Sequence, residues 1–209
     1  MKTNFLKLSL LALVIFTASC SSDDDKDNTI PAVETKTVSN LYAPQTGGGQ
    51  SGTPIGGDFT KFSFSENKIV TSDNWDIAFR GTFIIINGGV KVNATDAGEP
   101  ARTGNGAVSI VSGTFAGVTT FPAAATFKQD AATVYAIPGV SGEGWYDYAN
   151  MIISPRAGKV FVVKTHDGKY AKFEILSYYE NAPATPDVTS KTRYYTFNFA
   201  YQANSTTAF

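Results

Sequence analysis

The sequence predicts an all-β protein with at most one or two short helical turns, and three observations carry that prediction. Trp75, Ile77 and Phe79 alternate with Asn74, Asp76, Ala78 and Arg80, the period-two pattern of a strand with one buried face and one polar face. Lys159 to Lys164 and Lys169 to Tyr178 are strand-like runs flanking Thr165-His166-Asp167-Gly168, and Asp-Gly between such runs favours a tight hairpin. In Arg193 to Gln202, Tyr195, Phe197, Phe199 and Tyr201 occupy one face while Tyr194, Thr196, Asn198 and Ala200 occupy the other. Aromatics on alternate positions mark a strand buried on one side.

At the N-terminus, Lys2 and Lys7 flank the start of an apolar run, Leu8 to Phe16, that ends in Thr17-Ala18-Ser19-Cys20. A membrane-spanning helix needs about 20 apolar residues, so residues 1–19 read as a signal peptide. Cys20, the only cysteine of the chain, then becomes the lipidated N-terminus of the mature protein. Two or three acyl chains such as palmitate hold firmly, since each buried methylene contributes about 0.8 kcal/mol. Residues 20–31, with Ser21-Ser22-Asp23-Asp24-Asp25-Lys26-Asp27, read as an acidic, solvated tether, and residues 32–209 as one β domain.

Within that domain Val33 to Ser39 reads as a first strand and Tyr42 to Gly57 as a Gly-rich loop with no following helix to bind phosphate. Phe59 to Phe64 resumes alternation, with Phe62 and Phe64 on one face, and Asp73 to Ile86 reads as two strands broken near Gly81. Gly88 to Gly106 is polar and Gly-rich, a length of connection that in a compact domain is usually functional or disordered. Val108 to Val111 reads as a buried strand, and Ala123 to Phe127, just after Pro122, as one or two helical turns.

Composition narrows the chemistry. The chain has 17 basic and 18 acidic residues, and removing the leader takes Lys2 and Lys7 with it, so the mature protein is mildly acidic. It carries no basic footprint for nucleic acid or an anionic membrane surface, and the lipid anchor is its only expected tie to a membrane. His166 is the only histidine, and Met151 the only methionine beyond the leader. A nucleophilic triad needs a histidine beside its nucleophile, and this one sits in a hairpin turn; a zinc site needs three or four His or Cys ligands. Asp147 and Glu143, near Tyr146 and Tyr148, are open to reading as a carboxylate pair or as a solvated loop. The expectation is a binding protein and not an enzyme.

Asn74 to Arg80, Arg102-Thr103-Gly104-Asn105-Gly106-Ala107, Gly144-Trp145-Tyr146-Asp147-Tyr148, the Lys159 to Tyr179 hairpin and the terminal aromatic strand together resemble, in order and spacing, the HmuY family. That family comprises haem-binding lipoproteins on the surface of Bacteroidetes-type bacteria. The resemblance implies mostly antiparallel strands in two packed sheets, with haem held between them by two axial ligands from separate loops or hairpins. It further implies capture of haem, free or from host haemoproteins, and its transfer to a TonB-dependent receptor of the outer membrane. The acidic run after Cys20 resembles the signal for the outer face of that membrane, with the periplasmic face as the alternative.

Carried over residue by residue, one ligand slot of the family falls on Asn150 or Met151. A thioether is a soft, neutral ligand for haem iron; the alternative for Met151 is to fill a gap beside Ile152 and Ile153. The other slot lies between Phe127 and Gly142, where Tyr135 is the only candidate, as a phenolate, against an ordinary role as a strand aromatic. His166 aligns with the hairpin turn and is a third candidate, with an exposed turn residue as the alternative. Arg80 and Arg102 are candidates for haem propionates because guanidinium pairs well with carboxylate, although Arg80 is also placed to pair with Asp76. No metal beyond haem iron is expected. The alternative function is a surface lipoprotein that keeps the fold for another ligand or as an interaction module.

Overall fold

The central strands of both principal sheets are covered on two faces, while the edge strands Thr35–Tyr42 and Lys68–Ile69 are largely open, which makes this a layered β-sandwich with apolar contacts outside as well as between the sheets. The computed structural model describes residues 33–49, 51–204 and 206–209. The leader, Cys20 and the acidic tether lie outside the described residues. The strands are β1 (Thr35–Tyr42), β2 (Thr60–Ser63), β3 (Lys68–Ile69), β4 (Ile77–Arg80), β5 (Phe83–Ile86), β6 (Ala107–Ser112), β7 (Tyr146–Ala149), β8 (Ile152–Pro155), β9 (Lys159–Lys164), β10 (Tyr170–Tyr179) and β11 (Thr192–Gln202). The five-stranded sheet runs β1-β11-β10-β9-β6, the four-stranded sheet β3-β2-β4-β5, and β7 and β8 form a separate ribbon; every pairing of these strands is antiparallel. A single 3₁₀ turn, Ala124–Thr126, stands where the short helix was expected.

Between the sheets, Phe62, Phe64, Ile77, Phe79, Ile84 and Ile86 of the smaller sheet meet Phe161, Phe173, Tyr195, Phe197 and Phe199 of the larger. Phe62 stands edge-on to Phe197 at 5.4 Å and Phe79 lies 4.7 Å from Tyr195, pairs that add about 0.5–1.5 kcal/mol each beyond their buried area. The alternation in β11 holds: Tyr195, Phe197 and Phe199 are fully buried. Tyr201, at the rim, is partly buried and donates its hydroxyl to Asp167 Oδ2 at 2.7 Å.

The outer faces explain two departures from the expected pattern. Strand β9 buries Phe161 and Val163 between the sheets and Val160 and Val162 beneath Phe115 and Val118, so its apolar run is continuous. In the Asn74–Arg80 stretch the expected polar face is buried: Asp76, Ala78 and Arg80 are 0%, 0% and 3% exposed. Trp75 also leaves the face of Ile77 and Phe79, because it precedes the start of β4 and joins Phe59, Val70, Ala78 and Ile85 on the outside of the smaller sheet. Polar residues are tolerated there because each meets partners. Asn87 illustrates this: its amide donates to the carbonyls of Asp73 and Trp75 and its Oδ1 accepts from Thr103 and Gly104 N–H.

The Gly-rich connection 88–106 is thus an ordered cover with polar anchors. Glu99 accepts from the backbone N–H groups of Val92 and Asn93. Buried Asp130 ties three segments together by accepting from Ile86 N–H, Ala136 N–H and Arg102. Burial pushes the Asp130 carboxyl above its usual range, against the pull of these N–H groups and of the Arg102 charge.

Candidate functional site

Met151 occupies the tip of the β7–β8 hairpin, and the local backbone decides what it can do. Ala149 pairs with Ile152, leaving Asn150 and Met151 as a two-residue turn with φ of 51° and 63°. That is the left-handed turn normally made by Asn-Gly. Holding a methionine in it costs about 1–2 kcal/mol. The side chain is 68% exposed, so gap-filling is not its role. Ile152 and Ile153 do that packing instead, against the core between the sheets.

The root of the same hairpin is held firmly. Trp145 is buried and donates Nε1–H to the Thr82 carbonyl at 2.8 Å. Its ring contacts those of Tyr146, Tyr178 and Tyr195. Tyr146 donates its hydroxyl to the Gly139 carbonyl at 2.9 Å, and Ile153 N–H donates to the Tyr179 hydroxyl at 2.8 Å. Gly144 is required for close approach, since a Cβ there would stand 1.8 Å from the Pro138 carbonyl oxygen. Gly144→Ala is therefore expected to lower stability by about 1–3 kcal/mol through overpacking, read as a lower denaturation midpoint with an unchanged slope. An unchanged midpoint would show that the 138–144 segment yields freely.

The other ligand candidates are not brought to Met151. Tyr135 stacks on Phe83 at 5.0 Å on the outside of the smaller sheet. Burial, with Glu99 nearby, pushes its phenol up, which disfavours the phenolate a ligand would need. Phe83 also abuts Gly139, whose carbonyl receives Tyr146 at the hairpin root. The tip lies about 15 Å farther along the ribbon by the rise per strand residue.

His166 is not an exposed turn residue. Its backbone N–H and Nδ1 both bond Asp76 Oδ1, at 2.9 and 2.8 Å, and its side chain is 19% exposed. It sits at the Tyr170 end of β10, whereas the β7–β8 hairpin is bonded at the Tyr179 end. Those ends are about 30 Å apart.

The two arginines are occupied. Arg80 pairs with Asp96 at 2.6 Å and not with Asp76, donates Nη1–H to the Gly57 carbonyl, and lies over the Phe59 ring at 4.2 Å. Arg102 pairs with Glu99 at 2.7 Å and Asp130 at 2.9 Å. Only the Nε of each lacks a partner, and both are buried. Asp147 lies 3.6 Å from Arg156, both partly open to solvent, so a salt bridge takes the place of the carboxylate pair considered with Glu143. Among the described residues no three His, Cys, Asp or Glu side chains cluster as a metal site. Clefts of 310, 410 and 420 Å³ lie elsewhere on the surface, and none is lined by Met151, Tyr135 or His166.

Residues 57–159 match the family model described as HmuY protein. Over this stretch the chain resembles the HmuY family. The HmuY segment includes the Asn74–Arg80 motif, the Arg102–Ala107 motif and the whole Met151 hairpin, and it stops at Lys159, short of His166. Solved structures resemble the chain at low identity, among them three of bacterial origin. A protein described as a lipoprotein, from Bacteroides fragilis, is 13% identical with a TM-score of 0.46, over 82% of this chain and 89% of that one. An HmuY-like haem-binding protein from Bacteroides vulgatus is 13% identical with a TM-score of 0.44, over 81% and 92%. The apo HmuY analogue of Tannerella forsythia is 17% identical with a TM-score of 0.40, over 82% and 96%. No curated protein matches the chain.

Proposed function

We propose that this HmuY-like chain is a lipoprotein of the outer membrane, anchored through Cys20 and facing the exterior, that binds haem with Met151 as an axial ligand. The observation that carries the reading is the presentation of Met151: an exposed thioether on a strained turn, at the end of a hairpin whose root is locked. Strain retained at an exposed position is the kind of outlier that points to function. The donor fits the group, because thioether sulfur is neutral and soft and binds haem iron without giving up a proton. Haem, when bound, supplies the iron and the cargo; the chain's part is to orient one sulfur and leave it accessible. Captured haem then passes to a TonB-dependent receptor of the same membrane.

A second reading, a surface module that keeps the HmuY fold for another ligand, is favoured by Arg80 and Arg102. Both guanidinium groups are buried against carboxylates of the chain and are not offered to propionates. Titration with hemin separates the readings. Saturable Soret absorbance is expected, weakened about tenfold or more by Met151→Ala, a change worth about 1.4 kcal/mol. A flat titration at micromolar hemin selects the second reading.

A further inference from the structure

We infer that the cleft between the edge of the smaller sheet and the 88–106 cover binds a small amphipathic carboxylate, an anion with an apolar body. The inference gives the second reading, a fold kept for another ligand, its ligand class and its place, and it does not involve Met151. The cleft measures 410 Å³, within the range of about 300–1,000 Å³ typical of small-molecule sites. Its floor is apolar: Phe59 and Val70 are buried there beside Trp75, Ala78 and Ile85, and Ala97 and Pro100 line it from the cover. Ile69, on the edge strand β3, lines it too and is 54% exposed. An apolar ligand body shields that side chain as it leaves water itself.

The walls are fixed before any ligand arrives. Arg80 lies over the Phe59 ring at 4.2 Å, holds the Gly57 carbonyl with Nη1 and pairs with Asp96 at 2.6 Å. Asp96 in turn accepts Gly98 N–H at 3.0 Å, and its own carbonyl accepts from Lys91 Nζ at 2.7 Å. Cover and sheet approach closely at Gly98, where a Cβ would stand 2.2 Å from the Gly57 carbonyl oxygen. One buried cation thus ties the floor to the cover, and a preformed cleft loses little binding energy to ordering.

Charge selects the ligand. Lys61 lines the cleft, donates Nζ–H to the carbonyls of Thr71 and Ser72, both at 2.7 Å, and pairs with no carboxylate among the described residues. An ammonium has three N–H donors, so two hold this one in place and the third is left to give. A carboxylate on the ligand answers both the free donor and the unbalanced charge. Asp58 is the opposing charge among the lining residues; it is exposed, so water and salt screen it.

Calorimetric titration of the mature chain carrying Cys20→Ser, which has no acyl chains of its own, tests the inference with decanoate against decanol and decyltrimethylammonium. Decanoate is expected to saturate at one per chain and to bind about tenfold more tightly than either analogue, shifting the amide resonances of Ile69, Val70 and Gly98. Lys61→Met should remove the preference for the anion. That variant also loses the Thr71 and Ser72 bonds, so Ala97→Trp is the second test: it fills the cleft from the exposed cover, leaves Lys61 untouched, and should abolish both binding and shifts. Equal binding of decanol, binding that survives Ala97→Trp, or neither heat nor shifts overturns the cleft assignment. The second reading fails separately, on a Soret response to hemin that depends on Met151.

Discussion

Asp76→Ala is expected to lower folding free energy by about 3–5 kcal/mol, out of about 5–15 kcal/mol for a typical domain. The Asp76 carboxylate is fully buried and accepts three hydrogen bonds: Oδ1 takes His166 N–H and Nδ1, and Oδ2 takes Phe64 N–H at 2.7 Å. It therefore joins the β9–β10 turn of the larger sheet to β2 and β4 of the smaller. Alanine leaves two buried backbone donors and an imidazole nitrogen without acceptors, and each unmet group carries its own desolvation cost. Equilibrium denaturation in urea should show a large fall in midpoint, and a loss under about 1 kcal/mol would mean water replaces the carboxylate at little cost.

The same carboxyl predicts a pH signature. Burial pushes Asp76 above its usual 3.8, although the His166 and Phe64 donors pull it back. The folded state then binds this proton more tightly than the unfolded chain does. Its contribution to stability is complete below 3.8 and is lost as pH rises through the raised folded value. Asp76→Asn removes that slope. Compared with the variant, the wild type should gain stability as pH falls toward 3.8 from above; parallel pH profiles would sink the assignment.

The elements legible in the sequence are those where one local signal meets one structural demand. Asp167-Gly168 predicts the turn between β9 and β10, and the aromatics of β11 predict its buried face. What the sequence conceals is long-range pairing. Asp76 meets His166 across 90 positions and Asp130 meets Ile86 across 44, and nothing in the neighbourhood of either aspartate marks it for burial. The same holds for Lys172, which is buried with its ammonium on the carbonyls of Phe115 and Val118. An alternation rule assigns such residues to solvent, and only outer layers made of distant loops reverse that assignment. Met151 was legible in the sequence only as the one thioether beyond the leader. Its exposure was not, because two isoleucines follow it and the placement of the turn depends on strand register.

Trp145→Ala is expected to cost about 3–5 kcal/mol, the range for removing a large buried aromatic, and its consequence reaches the hairpin tip. Trp145 precedes β7, bonds Thr82 at the turn between β4 and β5, and accepts Arg156 N–H at its carbonyl beyond the end of β8. Its indole thus fastens the ribbon to the smaller sheet while its backbone closes the open end of the hairpin. Trp145→Phe comes nearer to isolating the fastening: it retains one aromatic ring and removes the donor, for about 1–3 kcal/mol, together with part of the indole's packing. Amide exchange should then speed up at Ile153 and Arg156 before it does in β11. Hemin affinity should fall with it, because a looser root spreads the positions from which Met151 presents its sulfur and ordering them again draws on binding energy. If Trp145→Phe leaves both exchange and affinity unchanged, the ribbon is held by the Tyr146 and Tyr179 bonds alone, and the indole serves only the core.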